Sequence, residues 1–496
     1  MLLLSAIGCS VVDSPMTPAP GSKDVNIDTH LVIEFSETPV VGSSGKIMIY
    51  DITAGEMADS LDLSIPAGLM QSRSYGPECD YTHVPYDYSR SSMATNRTTV
   101  PGTPSGTAEP TPADHQLNII GGFTDAFHFY PVIVHGNTAT IYPHNNVLEY
   151  GHKYRVTVED GVITLPSGDF NGVSDKDGWT FRTAKSAPSL KDTIVVDASG
   201  KGDFSTLQGA FDMIPDFSSE PVVVRVMPGD YEELVYVRNK SNVTVIGSGM
   251  DRTKVHYANN EVFNPHPLTV KTNEVEGTFP SRRAAVAFDN CNDLTFRDIT
   301  FATDCKGQAE GLLINGTRIT LRRVHVIGDG DALQANGSVY MESCVIDGGG
   351  DTILGRGSLF AYRCTLRNSG GPFTWVRNFK PAHGDIFVEC TFESTGPYPA
   401  DYGRAKVNGG KSYHDAEIVV IDCKVKNFNP LGWSVIDFDT SVMLEYNTRD
   451  LDSGELVDVS ARHKYSRQLR LPEDADLIAR YSTPSFALGG WEPVSE

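Results

Sequence analysis

The sequence predicts an all-β protein in two parts, a β-sandwich followed by a right-handed single-stranded parallel β-helix. Two observations lead to this fold class. Before about residue 185, short segments alternate apolar and polar residues and are separated by turn residues, as in antiparallel sheets. From residue 193 onward, short β-rich segments recur with Asn, Gly and Asp between them, as in a solenoid whose repeats bury their inner faces only by stacking.

The bulk composition narrows the function. The chain has 496 residues, enough for two or three domains, and a formal net charge of −22 from 41 basic and 63 acidic residues. That balance argues against nucleic acid or an anionic membrane surface as a partner. No run of 18 apolar residues is present, so no membrane-spanning helix is expected. The eight cysteines form no CxxC and no Cys/His spacing typical of zinc.

The first nine residues, MLLLSAIGC, resemble the end of a bacterial lipoprotein signal, with Cys9 as the possible lipid anchor. The run lacks a preceding Lys or Arg and is short for a signal, so an ordinary cysteine is the alternative. Residues 1–20 are interpreted as signal and tether. The expected location is the bacterial cell envelope, lipid-anchored at the outer membrane or surface, or secreted.

Residues 21–185 are predicted to form the sandwich. THLVIEFS and GKIMIYDI alternate apolar and polar residues, and the same pattern returns in HKYRVTVEDGVI and GWTFRTA. These phrases resemble the bacterial immunoglobulin-like modules that precede many secreted carbohydrate enzymes, which implies a spacer or docking role. A stretch at about 66–118, rich in Ser, Thr, Pro, Gly and Tyr, is interpreted as a long insertion loop that is either a plain surface loop or a glycan contact.

Residues 193–496 are predicted to form the β-helix. When the repeats are aligned, one residue of each repeat falls in a column that is expected to point inward. Successive members of this column are separated by 25, 20, 20, 26 and 33 residues: Ile299, Val324, Cys344, Cys364, Cys390 and Cys423. The four cysteines then act as small core hydrophobes rather than as redox groups. The helical segment at 204–215 is expected to cap the first coil.

Two aspartates stand out within this repeat. Asp331 and Asp351 lie seven residues after Val324 and Cys344, at an offset of 20. On adjacent coils, about 4.8 Å apart, the two carboxylates cannot both ionise easily. One would then be an anion able to attack a carbonyl, and the other an acid for the leaving group. The alternative is that both merely bond turn backbone.

The ordered motifs of this part resemble the pectin methylesterase family of carbohydrate esterases. The similar segments are DFSTLQGAFDMIP, VMPGDYEELVYV, QAEGLLINGTRITLRRVHVIGDGDAL, GDTILG, NPLGW and MLEYNT. The resemblance implies that Asp351 is the nucleophile, Asp331 the general acid/base and Arg404 the arginine beside them. It also implies that Gln308 is an oxyanion or substrate donor and that Thr278 contacts substrate. No metal or cofactor is required.

Two positions depart from the family pattern. The glutamine before the acid/base aspartate is Gly330, and the aromatic residue two positions after the conserved arginine is Lys406. Side chains that would compensate are Gln334, Trp375, Arg377 and Tyr402. Trp433 is expected either to line the cleft or to pack. Positive charge for galacturonate carboxylates is expected from Lys271, Arg282, Arg283 and Lys406, with solvated surface as the alternative.

The predicted function is hydrolysis of methyl esters on galacturonate residues of pectin or homogalacturonan, giving pectate and methanol, by a monomeric enzyme. Three alternatives stay open. Carboxylates about 5 Å apart also suit a retaining glycoside hydrolase. The same pair of carboxylates would also suit hydrolysis of another ester of a pectic polysaccharide. The changes at Gly330 and Lys406 also fit a non-catalytic pectin-binding homologue.

Overall fold

The computed structural model describes residues 15–67, 116–121, 126–261, 263–264, 282–407 and 412–494. The chain divides into two compact units. The described residues of the first unit are 15–67 and 129–187, and those of the second are 116–121, 126–128 and the described residues from 188 to 494. No helix among the described residues is both long and apolar enough to cross a membrane.

The first thirteen strands include all those of the first unit. They are β1 (Met16–Thr17), β2 (Ser22–Val25), β3 (Leu31–Glu34), β4 (Val40–Val41), β5 (Lys46–Asp51), β6 (Glu56–Asp62), β7 (Leu117–Ile119), β8 (Ala126–His128), β9 (Val132–His135), β10 (Thr138–Ile141), β11 (Lys153–Val158), β12 (Ile163–Thr164) and β13 (Thr180–Thr183). A 3₁₀ helix spans Asp175–Asp177.

The first unit is built from three sheets around one apolar core. Their strand orders are β1-β3-β10-β9, β2-β13-β11-β5-β6 and β12-β4. Alternate residues of β5 and β11 are buried, as the sequence pattern predicts. Ile47, Val156 and Trp179 are among the fully buried core residues. The assignment to an immunoglobulin-like module stays a prediction.

The insertion does not end as a plain loop. Strands β7 and β8 pair antiparallel and belong to the second unit, so we call this pair of strands the inserted hairpin. Residues 68–115, which include the tyrosines of the stretch that is either a plain surface loop or a glycan contact, lie outside the described residues, as does Cys9.

The second unit is a parallel β-helix of 22 strands. They are β14 (Ile194–Val196), β15 (Val222–Val226), β16 (Gly229–Glu232), β17 (Val235–Arg238), β18 (Ser241–Ile246), β19 (Thr253–Tyr257), β20 (Val286–Thr303), β21 (Leu312–Ile327), β22 (Leu333–Glu342), β23 (Val345–Gly348), β24 (Ile353–Gly355), β25 (Ser358–Tyr362), β26 (Thr365–Asn368), β27 (Gly371–Val376), β28 (Gly384–Val388), β29 (Thr391–Ser394), β30 (Ala400–Arg404), β31 (Glu417–Ile421), β32 (Lys424–Lys426), β33 (Val442–Tyr446), β34 (Arg449–Asp450) and β35 (Ser466–Gln468).

The backbone turns sharply at one corner of each coil, and this turn explains why the column of aligned residues points inward. The residue before each column position has a left-handed backbone, with φ between 49° and 57° at Asp298, Arg323, Ser343, Arg363, Glu389 and Asp422. This sharp corner turns the next side chain inward, where a small residue fits. Cys344, Cys364, Cys390 and Cys423 are all buried, and the Cys364 and Cys390 amides donate to the sulfur of the next cysteine. The predicted thiol column is therefore confirmed.

Three helices cover parts of the β-helix. Helix α1 (Leu207–Met213) lies within the predicted cap, and the carboxylate of Glu233 accepts hydrogen bonds from its first two amides, at 2.7 and 3.0 Å. Helices α2 (Ala475–Tyr481) and α3 (Pro484–Ala487) close an outer apolar face that includes Phe360 and Ile386.

Candidate active site

The two aspartates occupy the same position on adjacent coils. Leu333 pairs with Ile353, and the Ala332 amide donates to the Thr352 carbonyl at 3.0 Å. Asp331 and Asp351 each lie two residues before a member of that pair. The offset of 20 in the sequence is thus the strand register itself. The outcome is one carboxylate placed beside the other, within reach of a single bound group.

Asp331 is held in a buried ion network. Its Oδ2 accepts from Arg283 Nη2 at 2.5 Å, and the Arg283 Nε donates to Glu310 at 2.8 Å. Burial raises the pKa of Asp331 to about 7. The Arg283 charge opposes this rise in pKa, whereas the charges of Glu310 and Asp351 add to it. Near neutral pH, Asp331 can therefore hold a proton and release it.

Asp351 is paired with a different cation. The Arg404 guanidinium donates through Nη2 to Asp351 Oδ2, while Oδ1 is buried without a hydrogen-bond partner among the described residues. Burial raises the pKa of Asp351, and the nearby charges of Arg404, Arg377 and Lys406 counteract that rise. The carboxylate thus has one oxygen held in place and one oxygen with free lone pairs.

Trp375 supports the cations of the site. Its ring centre lies 4.2 Å from the Arg404 Cζ and 4.6 Å from the Arg377 Cζ. Strand register explains the first contact, because Trp375 pairs with Arg404 on the next coil. Trp375 thereby places an aromatic ring beside the site, although position 406 carries Lys. Cation–π contacts of this kind restrain both guanidinium groups.

Gln308 lies at the exposed edge of the same network. Its side-chain oxygen accepts from Arg283 Nη1, so the amide NH₂ points away from that bond as a donor. Lys406 is half-buried, and its charge reaches Asp351. Thr278 and Lys271 lie outside the described residues, and their predicted substrate contacts stay predictions.

Two expected cleft residues are instead core residues. Trp433 is fully buried, with its ring centre 5.2 Å from that of Tyr402, so the prediction that Trp433 binds substrate is wrong. The Tyr402 hydroxyl bonds to Glu445 and Thr448 at 3.1 and 3.0 Å inside the coil.

Sequence reasoning missed the roles of several groups around the pair. Arg283 was expected only as general positive charge, and Glu310 was not singled out, although it lies two residues after Gln308. A further carboxyl, Asp401, continues the aspartate column, because Asp351 bonds to Pro372 and Pro372 pairs with Asp401. Burial raises the pKa of Asp401 to about 6. From the sequence, only the lengths of the intervening coils could have shown that Asp401 lies in this column.

A second polar cluster has metal-ligating residue types. Glu232, His256 and Asp304 bring one ligand atom each within 4.8 Å of one another. His256 Nδ1 bonds to Asp304, and its Nε2 lies 2.9 Å from Asp230. Burial favours a higher pKa for Asp304, but the bond and charge of His256 outweigh it and lower that pKa. The cluster is an ion-pair network on β16 and β19, separate from the aspartate pair.

Comparison with known proteins identifies relatives of the second unit. The family model described as pectinesterase matches residues 193–468. Pectinesterase QRT1 of Arabidopsis thaliana is 29% identical over 302 residues, which cover 56% of this chain and 73% of the relative. A probable pectinesterase/pectinesterase inhibitor of the same plant is 28% identical over 188 residues, which cover 36% of this chain and 33% of that protein.

Two solved structures align with this chain. Pectin methylesterase from carrot aligns with a TM-score of 0.48 and 21% identity, over 62% of this chain and 95% of that chain. Pectin methylesterase PemA from Erwinia chrysanthemi aligns with a TM-score of 0.47 and 19% identity, over 62% of this chain and all (100%) of that chain.

Proposed function

Because the chain belongs to the pectinesterase family, we propose that it hydrolyses the methyl esters of galacturonate residues in pectin, giving methanol and pectate. The observation that supports this most directly is the pair Asp331 and Asp351 at one register position, each with its own arginine. Two carboxyls with different cation partners can take different protonation states, as an acid and a nucleophile must.

In the proposed first step, Asp351 Oδ1 attacks the ester carbonyl carbon. A C–O bond forms, and the carbonyl electron pair moves to its oxygen. Arg404 keeps Oδ2 fixed, so the attacking oxygen is already oriented. When the tetrahedral intermediate collapses, the bond to the methoxy oxygen breaks and Asp331 donates its proton to it. Methanol leaves, and an anhydride joins Asp351 to the galacturonyl group.

In the second step, the Asp331 carboxylate takes a proton from water. The resulting hydroxide adds to the galacturonyl carbon, and the bond to Asp351 breaks. The products are galacturonic acid, which loses its proton to solvent to give galacturonate, and a free Asp351 carboxylate, with Asp331 protonated again. A group whose pKa is about 7 suits both directions of this proton transfer near neutral pH. No redox change or added reactant besides water is needed.

Gln308, Trp375 and Lys406 are proposed to complete the substrate contacts. The oriented amide of Gln308 can donate to the substrate, and Trp375 can present its edge or face to a sugar ring. Pectin is a polymer, so we propose that the chain acts outside the cytoplasm. Lipid anchoring through Cys9 and a monomeric state stay part of this proposal.

The test is methanol release from highly esterified pectin. Asp351→Asn removes the nucleophilic anion while keeping the side-chain shape, and we expect a fall in kcat on the order of 10⁴-fold or more, as for other covalent catalysts. Asp331→Asn should also lower kcat severely. Asp439→Asn, a change in a surface loop, serves as the matched control and should leave release unchanged.

Three outcomes would reject the proposal. Acetate without methanol would indicate another ester, and new reducing ends without methanol would indicate a glycoside hydrolase. Calorimetric binding of pectin with no product of any kind would indicate a binding protein.

A further inference from the structure

The site lacks the side chain that the family pattern places before the acid/base aspartate. Gly330 has φ +69°, and a Cβ there would lie 2.6 Å from the Gly307 carbonyl oxygen. A side chain at this position would therefore require both a strained backbone and a displaced neighbouring coil. The missing donor must come from elsewhere if the intermediate is to be stabilised as in other acyl transfers.

Most of the side chains able to compensate are already engaged. Tyr402 bonds inside the coil, and Trp375 lies against Arg377 and Arg404. Gln334 pairs in register with Leu354 on the coil of the nucleophile, so it is one remaining candidate. Arg377 is the other.

Arg377 is a buried cation without a directly bonded carboxylate among the described residues. Its exposed fraction is 8%, and its Nε has no hydrogen-bond partner among the described residues. No carboxylate of the described part of the chain forms an ion pair with it. Burial and the charge of Arg356 lower the pKa of Arg377 and outweigh the charge of Asp331, which raises it, so the positive charge is only partly compensated. Such a group is costly unless an anion arrives.

The position of Arg377 in the site indicates which anion it would bind. Its guanidinium lies on the same Trp375 ring as that of Arg404, which donates to Asp351, so it lies beside the carboxylate that the reacting ester must approach. The Arg377 charge also lowers the pKa of both Asp331 and Asp351. Its backbone amide bonds to Gly355 at 3.0 Å, and its guanidinium lies on Trp375, so it is held from two sides. A guanidinium held in this way and not bonded to a carboxylate keeps its N–H donors available.

We propose that Arg377 is a further catalytic residue, which donates hydrogen bonds to the oxyanion of the tetrahedral intermediate in place of the side chain absent at Gly330. The proposal rests on the proposed esterase function. Negative charge develops on the carbonyl oxygen only during the reaction, so the cation stabilises the transition state more than the bound ester. At rest Arg377 has no directly bonded anion, and it gains one when the oxyanion forms.

The experiment measures kcat, KM and thermal midpoint for Arg377→Gln, Arg377→Lys and Gln334→Leu. We expect Arg377→Gln to lower kcat by about 100-fold or more with little change in KM, because one oxyanion donor is lost. Arg377→Lys should recover part of that loss. The thermal midpoint of Arg377→Gln should equal or exceed that of wild type, because an unpaired buried charge is removed. Arg363→Gln, an exposed arginine paired with Glu389, is the control.

The outcomes separate the two proposals. If wild type releases methanol and Arg377→Gln keeps kcat within about threefold, the role of Arg377 is overturned and the esterase function stands. A larger loss in Gln334→Leu than in Arg377→Gln also overturns it, as does a kcat loss explained by a lower thermal midpoint. No release by wild type overturns both proposals together.

Discussion

At the scale of single residues, the proton on Asp331 depends on its charged neighbours. Glu310 has no exposed surface and shares Arg283 with Asp331, so a second carboxyl group lies beside the proposed acid/base. The Glu310 charge raises the pKa of Asp331, and the Arg283 charge lowers it. Burial is the largest cause of the raised pKa, and these two charges adjust the pH at which the proposed acid loses its proton.

This balance predicts a bell-shaped dependence of kcat/KM on pH. Activity should rise as Asp351 ionises and fall as Asp331 loses its proton, with the alkaline limb near pH 7. Glu310→Gln removes an anion that raises the pKa of Asp331, so this pKa falls and the alkaline limb should move to lower pH. Glu389→Gln, at an exposed ion pair, should leave the limb in place.

The measurement is methanol release across pH 4–10 for wild type and both variants. An alkaline limb of Glu310→Gln that moves upward, or does not move, would contradict the assignment of Asp331 as the acid.

At the scale of elements, the inserted hairpin supports the segment that carries Arg283. The Phe127 ring is fully buried, 4.1 Å from the Tyr236 ring centre and 5.6 Å from the Arg282 Cζ. The His128 amide donates to Asn264 at 2.8 Å, and Asn264 bonds to Asn259, whose amide bonds to the Arg282 carbonyl. A chain of contacts thus leads from the hairpin to the residue beside Arg283.

We therefore expect Phe127→Ala to affect both stability and the acid/base. Loss of a buried aromatic side chain costs about 3–5 kcal/mol of unfolding free energy. A looser Arg283 would lower the pKa of Asp331 less, so the alkaline limb of activity should move to higher pH. Thermal unfolding and the pH profile measure the two effects. Phe217→Ala, at an exposed phenylalanine, should change neither; a stability loss without a moved limb would mean that the hairpin only packs.

Some structural elements can be predicted from the local sequence pattern, and others cannot. The repeat of short strands, the thiol column and the cap helix follow from residues close together in sequence, and all three are present. The environment of Trp433 and the packing of the inserted hairpin depend on surfaces formed by residues that are distant in sequence. An apolar tryptophan suits a cleft or a core equally well, and the sequence around it does not distinguish the two.

At the scale of the whole molecule, the two units have separate cores. Trp179 is fully buried in the first, and its Nε1 donates to the Pro18 carbonyl at 2.9 Å. The aspartate pair lies in the second unit. Independent cores allow independent unfolding, since little of one core depends on the other.

Trp179→Ala tests this independence. Calorimetry of the full chain should show two transitions, and the variant should lower only one, with a loss of about 3–5 kcal/mol. Methanol release at temperatures below that transition should match wild type. A common shift of both transitions would show that the two units unfold as one.

The sequence by itself determined the parallel β-helix and the register of Asp331 against Asp351. Both follow from a repeat of 20 residues, and a repeat gives the same backbone position to each copy. It also indicated the family, because the motifs occur in order along one chain. Arg404 was found through that family pattern, not through spacing.

Only the tertiary structure decided which groups surround the pair. Arg283 and Glu310 come from the coils before the pair and Arg377 from the coil after it, where steps of 25 and 26 residues break the simple period. The contact of Trp375 with two arginines depends on the register of three strands. Side-chain convergence depends on how unequal coils stack, and no local sequence pattern contains that information.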